Sequence, residues 1–169
     1  ELLGNRKSQQ DAHGSRTFSD GGISTEISVV ADGHGEEGDW VAQSAVRHLL
    51  WVQQLALDPV TLIQEQFRFA QNELKQEDSG ATATMVVRRG DKVVIGYVGD
   101  SEVRLVKKDG QLSRLTIPHH YGVHPGETRR LDDLKAPIEG IPDEDGRIPK
   151  GRLILGKMML EPTRVLGDQ

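Results

Sequence analysis

The stretch Ile27-Ser28-Val29-Val30-Ala31-Asp32-Gly33-His34-Gly35 decides how the rest of the chain is read. β-Branched residues fill its first part, and it breaks off at a carboxylate, an imidazole and two glycines. That is the composition of a buried strand ending where the backbone is freed to turn. Asp32, Gly33 and His34 are therefore expected at a strand end. A carboxylate held there by a rigid sheet can bind a hard cation, glycine lets a main-chain carbonyl approach the same ion, and histidine can carry a proton. Asp-Gly is equally an ordinary turn dipeptide, so on this stretch alone both readings stand.

Composition narrows the chemistry. The chain has 169 residues and a net charge of −5, enough for one domain with a real core. It has no basic run of the kind that binds a phosphate backbone or an anionic surface, so neither nucleic acid nor membrane is an expected partner. Without cysteine there is no thiolate ligand, no thiol nucleophile and no disulfide, and any metal must be held by oxygen or imidazole. No apolar run reaches membrane-spanning length, and cytoplasmic location is the default reading. The chain opens at Glu1 rather than methionine, which leaves room for a removed signal or an upstream domain.

Around the opening stretch the pattern changes three times. Residues 1–26 are rich in turn formers (Gly4-Asn5, Gly14-Ser15, Asp20-Gly21-Gly22) and predict loops around a short edge strand. Asp39 is the expected N-cap of a helix whose apolar stripe runs through Val41, Ala45, Leu49, Val52 and Ala56, with Trp40 and Trp51 as packing residues. Asp58-Pro59 starts a second helix with Ile63, Phe67, Ala70 and Leu74 on one face. Residues 81–88, 92–98, 103–107 and 112–115 then read as strands of an antiparallel meander, and Gly99-Asp100-Ser101 places a second carboxylate at a sheet end. The stretch 117–156 is an irregular excursion whose only regular element is a short helix at 127–134. The four-residue spacing of His120 and His124 would suit zinc on a helix, but Pro118, Gly122 and Pro125 break any helix there.

Taken in order, these pieces resemble the PPM, or type 2C, metal-dependent protein serine/threonine phosphatases. Arg6-Lys7-Ser8-Gln9-Gln10-Asp11-Ala12-His13 is similar to that family's first motif, and Val30-Ala31-Asp32-Gly33-His34-Gly35 to its Asp-Gly-His-Gly signature. Ser79-Gly80-Ala81-Thr82-Ala83, Val98-Gly99-Asp100-Ser101, Leu115-Thr116 with His120, and Thr163-Arg164-Val165-Leu166-Gly167-Asp168 resemble its later motifs. The resemblance implies an α+β fold, a four-layer α/β/β/α sandwich of two antiparallel sheets flanked by helices. Residues 1–169 would form a single domain with a flap at about 118–156. It further implies two Mn²⁺ or Mg²⁺ ions bridged by Asp32, with the Gly33 carbonyl on one of them. Asp11 would support them through water, and Asp100 would belong to a third, weaker position. Arg6 would hold the phosphate and His34 would protonate the leaving oxygen. The implied partner is a phosphoprotein substrate, and the implied state is monomeric.

The residue types suit that chemistry. Two hard cations about 3.5–4 Å apart lower the pKa of a shared water and need no enzyme nucleophile. Oxygen ligands favour Mg²⁺ or Mn²⁺ over zinc, and arginine's planar fork matches phosphate. Three positions depart from the family pattern: Gln10 stands where many members have glutamate, Glu102 where arginine is usual, and His119 where aspartate is usual. The family's Asp-Gly and Asp-Asn motifs, which supply further metal carboxylates, are not found up to Gln169, so the C-terminal part is expected to be missing. Since Mg²⁺ and Mn²⁺ want about six oxygens, this stretch alone is expected to bind them weakly. The rival reading is a pseudophosphatase or regulatory binding domain of the same fold, which recognises a partner without turning over phosphate. A calcium-binding loop at 32–39 fails on pattern, with His34 at the third position, where an oxygen ligand is required, and Glu37 at the sixth, where glycine is required.

Overall fold

In strand β2 (Ile23–His34) burial alternates residue by residue, with Thr25, Ile27, Val29, Ala31 and Gly33 inside while Val30 is 47 % exposed. A strand turns successive side chains to opposite faces, so the period of two overrides the apolar character of Val30. The computed structural model describes residues 9–54, 57–74, 79–155 and 158–167; Arg6, Ala56 and Asp168 lie outside them. Strand β2 pairs antiparallel with β1 (Asp11–Asp20) on one side and β3 (Gly80–Arg89) on the other. The register stacks Ala12, Ala31 and Ala83, then Gly14, Val29 and Met85, on the inner face.

Helix α1 (Gly38–Leu50) packs on all three strands and buries Val41, Ala42, Ala45 and Leu49. It starts one residue before the expected cap. Glu37 precedes it without a side-chain bond, and Asp39 lies in the first turn, where its carboxylate accepts from Trp40 N at 2.8 Å and suits the positive end of the helix. Trp40 and Trp51, expected to pack, are 45 % and 57 % exposed, because the stripe that reaches the sheet runs through the smaller residues. Helix α2 (Pro59–Leu74) begins where Asp58 accepts from Val60 N and Thr61 N, and lies beside α1. Its buried Gln66 donates to the carbonyls of His48, Leu49 and Trp51 at 3.0–3.2 Å, satisfying groups that the end of α1 leaves without helical partners.

The expectation of loops around a short edge strand in 1–26 is corrected for its described part, 9–26; residues 1–8 lie outside the described residues. β1 is ten residues long and closes a hairpin through Gly21 and Gly22, both at positive φ. Gly14 misled the reading because it is not a turn residue: a Cβ there would lie 2.8 Å from Leu50 Cδ1, so glycine lets α1 approach the strand. Strands β4 (Lys92–Val98) and β10 (Leu166–Gly167) both pair with β3, sharing the edge that β2 leaves open, and complete a five-stranded sheet.

The described residues pack as two compact units, one running to Tyr97 and resuming at Val165, the other Val98–Arg164. In the second, β5 (Arg104–Val106) and β6 (Leu112–Arg114) form a ribbon of their own rather than extending the large sheet. Helix α3 (Pro125–Asp133) is capped by the His124 side chain, and β7 (Ile138–Gly140), β8 (Gly151–Leu155) and β9 (Met158–Leu160) form an antiparallel sheet. That sheet corrects the irregular reading of 117–156; strands of three to five residues are too short to show a period. The α+β class with antiparallel sheets and flanking helices stands.

Candidate functional site

Asp32 lies directly across from Asp11 in the β1–β2 register, at the first residue of β1 and two residues before the end of β2. Directly opposed residues of an antiparallel pair face the same side, here the side away from Ala31 and Ala83. His34, two residues on in the same strand, shares that side. Two like charges set side by side on a sheet repel, and Gln9 Nε2 donates to Asp11 Oδ2 at 3.0 Å. Thr82, opposite Asp32 on β3, accepts from the Asp32 amide at 3.2 Å.

Glycine fixes the turn that follows. Gly33 N donates to Gln10 O at 2.9 Å, and a Cβ on Gly33 would run into the Gly38 carbonyl and come within 2.8 Å of Gln10 O. Gly35 has φ 87°, and a Cβ there would sit 2.5 Å from Ser79 Oγ. Gln10 Nε2 donates to Gly35 O at 2.8 Å, while Ser79 Oγ accepts from Glu37 N at 3.0 Å. The Gly33-His34-Gly35 turn is thus clamped between Gln10 and Ser79. Both roles were missed from sequence, where Gln10 stood out only as a replacement for glutamate. The glycines at 33, 35 and 38 were the available signal, since so many in one turn imply close backbone approach.

Asp100 belongs to the Val98–Arg164 unit, where its Oδ2 meets His120 Nε2 at 2.9 Å. Arg6 is outside the described residues. The three histidines near residue 120 have separate employments: His120 on Asp100, His124 Nδ1 accepting from Glu127 N at 3.3 Å, and His119 packed ring to ring on His124 at 4.8 Å. Burial, and then the neighbouring His124, hold the His119 pKa below its ordinary value. Among the described residues no group of three or more His, Cys, Asp or Glu is placed to hold a metal. The pair that is present, Asp11 and Asp32 beside the Gly33 backbone, offers only oxygen donors, a set that fits a hard divalent cation.

The profile of the family described as "Protein phosphatase 2C" matches residues 1–169. The chain belongs to the protein phosphatase 2C family. Among relatives of this family, a rice protein (Oryza sativa subsp. japonica) named "Probable protein phosphatase 2C 45" is 26 % identical over 137 residues, covering 77 % of this chain and 48 % of its own length. The chain therefore spans about half the length of that relative. A crystal structure of a phosphatase from Toxoplasma gondii superposes with a TM-score of 0.71 at 18 % identity, over 98 % of this chain and 62 % of that one. The catalytic domain of the serine/threonine protein phosphatase PstP, in complex with two manganese ions, gives 0.56 at 18 % identity, over 94 % and 65 %. At these identities the likeness to the solved structures is one of fold. Among the described residues no helix is long and apolar enough to cross a membrane.

Proposed function

We propose that the protein hydrolyses phosphoserine and phosphothreonine in phosphoproteins, with divalent metal ions as cofactors. The observation that carries this reading is the in-register pair of Asp11 and Asp32, with His34 on the same side of the sheet and the intervening backbone locked by glycine contacts. Family membership and the manganese complex of PstP support it. Asp32 and the Gly33 carbonyl would hold two Mn²⁺ or Mg²⁺ ions, with Asp11 supporting them through water and Asp100 serving a third position. When bound, such ions supply an acidified water and neutralise charge on the phosphoryl oxygens. Arg6 binds the phosphate through its planar fork. His34, half-buried at the mouth of the turn, gives its proton to the serine or threonine oxygen as the P–O bond breaks.

The test uses the full-length product of the gene, assayed on a phosphopeptide and on p-nitrophenyl phosphate with added Mn²⁺. Asp32→Asn should lower turnover by at least about 100-fold, more than loss of an outer-shell partner, and chelator should abolish activity. Undiminished turnover in excess EDTA overturns the metal reading. Arg6→Ala should chiefly raise KM. His34→Ala should lower kcat by about 10²–10⁴, most strongly for the alkyl phosphate, whose leaving group needs a proton. Equal slowing of both substrates removes the general-acid role. A folded full-length product that captures phosphopeptide without turnover points instead to the binding domain.

A further inference from the structure

In the Val98–Arg164 unit a dense polar arrangement is built on Glu127, in the first turn of α3 and 2 % exposed. Its Oε2 accepts from Arg130 Nε at 3.1 Å, Arg130 Nη2 at 2.8 Å and Thr163 Oγ1 at 3.1 Å, and its Oε1 accepts from Arg164 Nε at 2.5 Å. Arg130 Nη2 also reaches the Thr163 carbonyl at 3.0 Å. Thr163 in turn donates its amide to His119 O at 2.6 Å, its one hydroxyl proton is shared between Glu127 Oε2 and His119 O, the latter 2.8 Å from Oγ1, and Pro162 bridges to His120. On the far side His119 N donates to Gly99 O at 3.0 Å, and His120 Nε2 meets Asp100 Oδ2 at 2.9 Å. An unbroken series of bonds thus runs from Glu127 through Thr163 and the His119-His120 backbone to Asp100.

Stability alone is a poor reason for such a group. Burying a carboxylate with two guanidiniums gains little over an apolar side chain of the same volume, whereas directed bonds fix a geometry that apolar packing leaves loose. Among the described residues, the hydrogen bonds that the Glu127 carboxylate makes outside its own helix go to the 163–164 segment, and Thr163 of that segment bonds to His119. We propose that Glu127 is a positioning residue for Asp100: it holds Thr163 and Arg164 against His119, and thereby sets the His120 ring on the Asp100 carboxylate and orients that carboxylate toward a divalent cation. The inference rests on the assignment of Asp100 to the third cation position.

The experiment is isothermal titration of the metal-free full-length product with Mn²⁺, beside the Mn²⁺ concentration giving half-maximal turnover of p-nitrophenyl phosphate. The variants are Asp100→Asn, Glu127→Gln and the two combined. Glu127→Gln keeps the shape of the side chain and should weaken the weakest Mn²⁺ site by about 10-fold, the usual effect of losing a partner that orients a ligand, with substrate KM unchanged within about 2-fold. The double variant should bind no more weakly than Asp100→Asn alone, since both act through one carboxylate. Weakening by Asp100→Asn with normal binding in Glu127→Gln, or additive effects in the double variant, overturns the role of Glu127 and leaves that of Asp100 intact. Normal Mn²⁺ binding in Asp100→Asn overturns both. Should Glu127→Gln fail to fold, Thr163→Val, which removes only the linking hydroxyl, must show the same direction of change, and normal Mn²⁺ binding in that variant overturns the proposal.

Discussion

Asp32 and Asp100 are both carboxylates at or just past the end of a strand, and different forces hold them. Asp32 is carried by β2, whose inner residues Ile27, Val29 and Ala31 are buried against α1, and the turn after it is set by backbone contacts that only glycine permits. Asp100 belongs to a unit whose buried side chains include few large apolar groups, Leu131 and Leu160, and several polar ones, Thr116, His119, Glu127 and Thr163. Its position depends on directed bonds that reach Thr163, 63 residues further along. The contrast separates two ways of placing a functional group. Apolar burial with close backbone contact is insensitive to pH and salt, whereas a polar network can be dismantled by protonating one member.

The contrast can be broken first at Gly33. Gly33→Ala puts a methyl into the Gly38 carbonyl with the Gln10 carbonyl behind it, and neither is the movable end of a side chain. The expected loss is about 3 kcal/mol, the upper part of the usual cost of overpacking, read by chemical denaturation of the full-length product. A variant as stable as the parent would show that the turn is looser than its contacts imply.

Glu127→Ala comes next. Burial alone would raise the Glu127 pKa, but Arg130 and Arg164 outweigh it and hold the carboxyl at about 2, against 4.5 for the ordinary group. A folded-state pKa below the unfolded one means a contribution that is complete above about pH 4.5 and lost as pH falls toward 2. At neutral pH the variant should lose about 2–3 kcal/mol, less than the full shift allows because both arginines are partly exposed and can be rehydrated. Melting temperatures of parent and variant, measured from pH 7 down to pH 3, should converge as the acid limit is approached. A constant gap would mean that packing, not charge, is what Glu127 contributes.

The smallest effect is expected at the exposed Arg88–Glu26 pair, 3.1 Å apart across β3 and β2 with side chains 59 % and 49 % exposed. Arg88→Ala should cost no more than about 0.5 kcal/mol, as surface pairs usually do. A loss above about 1 kcal/mol in the same denaturation experiment would remove the distinction drawn between exposed and buried ion pairs.

What could be read from sequence was whatever depends on neighbours in the chain. The apolar steps of α1 as far as Leu49 and those of α2, the Asp58-Pro59 start, the β3–β4 hairpin around Gly90-Asp91 and the end of β2 at Asp32-Gly33-His34 all follow from local periodicity and turn chemistry, whereas Val52, expected on the same stripe, lies past the end of α1 at Leu50; the motif order pointed to the phosphatase family. The rest needed tertiary structure because its cause lies far along the chain. The length of β1 was hidden because its inner positions, Ala12 and Gly14, answer to the α1 helix lying on them rather than to strand propensity. The clamp of Gln10 and Ser79 on the Gly33–Gly35 turn joins residues 25 and 42 positions away from their partners. Glu127 looked like one more charge on a polar helix until folding buried it beside Arg164. A sequence displays propensities, which act over a few residues; a buried polar group is acceptable only where the fold brings partners to it, and that is decided when distant segments meet.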